Sequence, residues 1–102
     1  MATNIEQPYP LPPSGADVFE WDWSRWCDRE GVSFAVGDIS LVPGPGMTRL
    51  GTPQVAGSVV QATLKMGDVS LGYRTYVDCV LTLGDRVVPR RLEFVAAPRG
   101  DK

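Results

Sequence analysis

Between Asp17 and Ala97 the chain changes apolar for polar residues at every second position, in run after run, and each run stops at Gly, Pro or Asp. Successive side chains of a strand point to opposite faces, so a period of two builds half-buried strands and leaves no room for a long helix. The first run sets Phe19, Trp21 and Trp23 against Glu20 and Asp22. "VVQATLKM" (59–66) sets Val60, Ala62, Leu64 and Met66 against Gln61, Thr63 and Lys65. "YRTYVDCVLTL" (73–83) sets Tyr73, Thr75, Val77, Cys79 and Leu81 against Arg74, Tyr76, Asp78, Val80 and Thr82. Gly84-Asp85-Arg86 is a hairpin signal, after which "VVPRRLEFVAA" (87–97) sets Leu92, Phe94 and Ala96 against Arg91, Glu93 and Val95. Pro89 argues for a bulge or an edge at the start of that last strand.

Two segments are less regular. "VSFAVGDISLV" (32–42) reads as a strand broken at Gly37-Asp38, and residues 43–58 read as a turn-rich connection anchored by Met47 and Leu50, with room for a short edge strand. In "SRWCDREG", Ser24 is placed to cap one helical turn and Gly31 to end it, with Trp26 folding back over the open end of the core. Eleven Gly and nine Pro in 102 residues support many turns in one domain. The expected fold is therefore all-β, a small immunoglobulin-like β-sandwich of about seven strands. Its expected core is Phe19, Trp21, Trp23, Val60, Leu64, Val77, Cys79, Leu81, Leu92 and Phe94.

The start of the chain is of another kind. "NIEQPYPLPPSG" (4–15) has four prolines around Tyr9 and Leu11. Proline fixes φ and removes a donor, so this stretch is expected to be an extended arm, outside the sheets. The organisation expected is an arm at 1–15, a sandwich at 16–98 and a loose tail at 99–102. The arm is either a disordered terminus or a strap for a partner, and in the second case Pro8, Tyr9, Pro10, Leu11, Pro12 and Pro13 make the contact.

Chemistry has few places to sit. The chain has no histidine, and its two cysteines, Cys27 and Cys79, form no C-x-x-C pair, so no metal, cofactor or nucleophile site is expected and the thiols are expected free. Glu20 and Asp22, two apart on one strand face, have a spacing that a glycosidase pair also has, but an exposed acidic strand face explains them. Gly44-Pro45-Gly46 lacks the spacing and the Lys-Ser/Thr of a phosphate loop. Arg99-Gly100-Asp101 is a short adhesion-like tripeptide in the tail. The three tryptophans raise the alternative of a carbohydrate-binding sandwich with exposed rings, while alternation with Glu20 and Asp22 places two of them, Trp21 and Trp23, on the core face with Phe19.

Charge is unevenly divided. Residues 1–40 hold seven acids against Arg25 and Arg29, and residues 41–102 hold eight Lys or Arg against five acids. Each strand having a solvated face accounts for this, and an orienting role between copies is the sharper alternative. No basic stripe suited to nucleic acid is present, and no apolar run approaches the roughly 20 residues that span a bilayer. The first residues lack the basic and apolar regions of a secretion signal, so the chain is expected to be made and kept in the cytoplasm or in a particle assembled there.

Asp22-Trp23-Ser24 with Trp26, then Gly37-Asp38-Ile39, Gly46-Met47-Thr48, Gly67, Gly72-Tyr73 leading into Tyr76-Val77, and Gly84-Asp85-Arg86 before Arg91-Leu92 form a set. With these residues the chain resembles, over about 17–97, the small fibre–tail adaptor proteins of tailed bacteriophages. It departs from their pattern at Leu41, where they have tryptophan, and at Gly67-Asp68, where they have Gly-Gly. The resemblance implies a catalytically inactive virion protein, made in the host cytoplasm, that bridges the phage tail and its fibres. It implies as partners a tail tube, nozzle or adaptor protein and the N-terminal region of a tail fibre, with several copies in a symmetric ring and no contact with nucleic acid or membrane.

Overall fold

A computed structural model of the chain describes residues 8–98. The expected loose tail at 99–102, with its Arg-Gly-Asp, and the first seven residues of the expected arm lie outside them. Among the described residues seven strands form: β1 (Tyr9–Leu11), β2 (Ala16–Asp22), β3 (Ile39–Pro43), β4 (Met47–Ala56), β5 (Val59–Met66), β6 (Arg74–Leu83) and β7 (Arg86–Ala96). One helix, α1 (Ser24–Glu30), follows β2, and a single 3-10 turn at Val36–Asp38 precedes β3.

The strands make two sheets, one ordered β1-β7-β6-β3 and the other β2-β5-β4. All ladders are antiparallel except that of β1, which runs parallel to the end of β7 with Tyr9 beside Phe94 and Leu11 beside Ala96. The inner faces meet in one core, as two alternating sheets require. Trp21, Trp23, Val60, Leu64, Val77, Cys79, Leu81, Leu92 and Phe94 are buried in it, with Leu11, Trp26, Cys27, Met47, Ala62, Met66 and Ala96. Phe19 is half-buried and packs edge-on against Phe94, with ring centroids 4.9 Å apart.

Three expectations need correction. The prolines at 8–13 do not hold that stretch outside the sheets, because Tyr9–Leu11 is an edge strand and Leu11 has no exposed surface. A proline is tolerated at a sheet edge when its missing donor faces outward, and Pro10 sits at such a place in β1, so the sandwich begins before residue 16. The stretch 43–58 is no loose connection either, since ten of its residues form β4. Its ladder with β5 shifts register between Leu50 and Gln54, around Gly51 with φ of 72° and Pro53, so a bulge on an edge strand absorbs the residues that read as turn. In 32–42 only the part from Ile39 is strand, because Val36–Asp38 turns first, with the Asp38 carboxylate accepting the Ala35 N–H at 3.0 Å.

Candidate functional site

β6 and β7 pair along ten residues, and the two ends of the sandwich present separate sets of loops. At the first end the chain leaves β2 at Asp22 and turns into α1. The Asp22 carboxylate accepts the Ser24 backbone N–H at 2.9 Å, and the Ser24 side chain, then its N–H, hold that carboxyl below its ordinary range, with Arg90 adding to the effect. Asp22 thus serves the helix start in the place expected of Ser24, which is the first residue of the helix itself. Gly31 ends the helix in the left-handed conformation, φ 67°, where the sequence places it.

The helix brings Trp26 onto Trp23, ring centroids 5.8 Å apart and edge to face. Two arginines of β7 cover the pair: the Arg90 guanidinium lies 4.7 Å from the Trp23 ring centre and that of Arg86 5.2 Å from Trp26. Arg90 also donates to the Asp22 carbonyl at 2.9 Å, and Arg86 pairs with Glu30. Arg86, and after it Arg29, hold the Glu30 carboxyl below its ordinary range. The acidic first part and the basic second part of the chain therefore meet inside one molecule, at this end. Arg25, Asp28 and Arg29 of α1, Asp38 of the 3-10 turn and Asp85 of the β6–β7 hairpin leave it densely charged.

The opposite end is built differently. Gly46 sits at φ 80°, and a Cβ there would meet the Tyr73 ring at 3.0 Å; the Gly46 carbonyl accepts the Gly67 N–H at 2.7 Å. The Pro45 carbonyl accepts the buried Thr75 hydroxyl at 2.6 Å. Gly72 donates to Ala96 at 2.7 Å, and the Gly67 carbonyl accepts the Ser14 N–H at 3.0 Å, so the loops 12–15, 44–46 and 67–73 close over one another. Asp68 is the one charged residue in these three loops, while Leu71 is 66% exposed and Tyr73 37%.

No family model matches this chain, and no curated protein or solved structure does. What the residues can do rests on the geometry alone. Glu20 accepts from Gln61 at 3.2 Å and Asp22 serves the helix, so both carboxylates of the spaced pair have structural partners. Among the described residues no group of histidines, cysteines and acids is placed to hold a metal, and no helix is long and apolar enough to cross a membrane. Cys27 and Cys79 are free and buried, and burial pushes the Cys79 thiol up to about 11. All three indoles are buried, at 3%, 0% and 8% exposure for Trp21, Trp23 and Trp26, so none offers a ring face to a sugar. Of the expected arm, Tyr9 and Leu11 face the core while Pro8, Pro10, Pro12 and Pro13 are half-buried. Sequence reasoning missed Arg86 and Arg90 as the cover of the tryptophans; their recurrence at a spacing of four on one strand, facing the side of Leu92 and Phe94, was the available signal.

Proposed function

We propose that the protein is a structural component of a tailed-phage virion, an adaptor joining the tail tube, nozzle or a neighbouring adaptor to the N-terminal region of the tail fibres. Its sandwich is assigned the immunoglobulin-like kind, several copies form a ring, and no reaction is catalysed. One observation carries this reading: the two ends of one rigid sandwich have unlike chemistry. One end is charged and capped by arginine on tryptophan, and the other is glycine- and proline-rich with Leu71 and Tyr73 exposed. A connector between two different partners needs two such surfaces, held apart by strands whose ten residues span about 33 Å.

The residues of the resemblance support it by where they fall. Asp22-Trp23-Ser24, Trp26 and Gly84-Asp85-Arg86 gather at the charged end, while Gly46, Gly67 and Gly72-Tyr73 gather at the other. Heterologous contacts around a ring suit a subunit with unlike surfaces, and repetition lets modest single interfaces hold firmly. Quantitative mass spectrometry of purified virions of the encoding phage tests the proposal by counting this chain against the major tail protein. A fixed ratio that divides into the tail's rotational symmetry is expected, and a chain missing from intact particles overturns it.

A further inference from the structure

We infer that β1 is an exchangeable strand, docking on β7 of a second copy of this chain as well as on its own. Three observations lead there. The socket for β1 is complete without its owner's hinge: Leu11 is fully enclosed, and Tyr9 joins Phe19 and Phe94 in one aromatic group, at centroid distances of 5.9 and 6.0 Å. The Leu11 carbonyl further accepts the Ala97 N–H at 3.2 Å, in the sheet opposite to that of β2. A β1 from any copy makes these same contacts.

The hinge decides between the two arrangements. To return from β1 to β2 within one molecule the chain turns at Pro12–Gly15, closed by the Gly15 N–H on the Pro12 carbonyl at 2.8 Å. Pro13 takes the first corner with its ring-fixed negative φ, which leaves the second corner to Ser14, at φ 64°. A turn of this type wants Gly or Asn at that corner. Ser14 is the only non-glycine residue with positive φ among those described, and a Cβ on Gly15 would lie 2.6 Å from Pro12. The closed hinge is thus both tight and strained.

Opening it relieves the strain and lets Pro12-Pro13 adopt the extended form that consecutive prolines favour. Exchange of an identical element keeps every docking contact and changes the hinge alone, so the strain at Ser14 favours the exchanged form, set against the loss of the Gly15–Pro12 hydrogen bond. Against it stands the intramolecular advantage of the closed form, equivalent to an effective concentration of about 1 mM for a short linker. Exchange is accordingly expected as local concentration nears that range, as among copies held side by side. The inference needs no tail: it is a property of the isolated chain, and it stands or falls apart from the virion reading.

Pro10 and Val95 lie side by side in the β1–β7 ladder and both point away from the core, which supplies the test. The full chain carrying Pro10→Cys and Val95→Cys is oxidised under native conditions from about 10 μM to about 1 mM, bracketing the effective concentration, and resolved without reductant. Covalent dimers or longer ladders, rising with concentration to dominate at the top of the range, are the expected result. Adding Ser14→Gly removes the strain and should lower the ratio of interchain to intrachain product about fivefold at equal concentration. Intrachain product alone at every concentration overturns the inference. So does an interchain share that Ser14→Gly leaves unchanged, or dimers of equal amount from Pro10→Cys alone.

Discussion

Trp23 has no exposed surface and touches aromatic or cationic groups on three sides: Trp26, Phe34 at 6.5 Å between centroids, and Arg90. Removing it deletes a large part of the core and the floor on which Arg90 rests. Trp23→Ala is expected to cost about 3–5 kcal/mol, read as a fall in the denaturant midpoint at unchanged slope. A change under about 1 kcal/mol would mean that the ring is not enclosed. Cys79, equally buried, supplies a pH dependence. Its thiol titrates at about 11 in the folded chain against 9.0 ordinarily, chiefly because burial disfavours the thiolate, with Trp23 and Arg90 opposing. Below the lower value both states keep the proton. As pH rises from there toward about 11, the unfolded chain ionises first, so stability falls by on the order of 2 kcal/mol across that window and levels off above it. Denaturation curves for the native chain and Cys79→Ala over that range should diverge in slope, and parallel curves would remove the thiol from the alkaline loss. At this scale the sequence was informative: alternation alone set Trp21 and Trp23 inward, since a strand offers only two faces. It was silent on Arg90 and Arg86, because what an arginine on that face lies over depends on α1 and the end of β2, far away in the chain.

The elements were legible in proportion to their regularity. β5, β6 and β7 stand almost where their alternation ends, at Gly67, Leu83 and Ala96. β1 was not legible and β4 only as room for a short edge strand, for one physical cause: both are edge strands, and an edge tolerates the Pro and Gly that would break a central strand. The sequence points to Ser24 as the cap, but the acceptor for the helix start is the Asp22 carboxylate, two residues before. Asp22→Ala is therefore expected to cost about 1 kcal/mol in thermal or denaturant unfolding, mostly by loosening α1. A value near zero would show that the carboxylate is not what holds the helix start. The turn at Gly46 gives a contrast between two glycines. Gly46→Ala must place a Cβ against Tyr73 as well as hold a positive φ, whereas Gly31→Ala, at similar φ, meets nothing within 4 Å. Gly46→Ala should be the more destabilising, by roughly 1 kcal/mol beyond the backbone strain that the two share. Equal losses would mean that the Tyr73 ring swings away freely.

On the scale of the whole molecule, the sandwich has two dissimilar ends, and on the proposed adaptor role that dissimilarity is testable without knowing which partner sits where. A contact made through the charged end, with Arg25, Asp28 and Arg29 on α1, weakens as salt screens it; a contact made through Leu71 and Tyr73 rests on apolar burial and does not. Leu71→Asp and Arg25→Glu are substitutions on exposed side chains and should each leave stability within about 0.5 kcal/mol. In a complementation assay, with particles purified and their proteins counted, the two variants are expected to fail differently. One stays on the tail but lacks fibres, and the other is missing from the tail altogether. Raising salt during purification should reproduce the defect of Arg25→Glu and leave the contact that Leu71→Asp breaks intact. Identical defects from both variants would mean that a single surface does the joining, and the sandwich would then be an appendage of one partner, with its second end free.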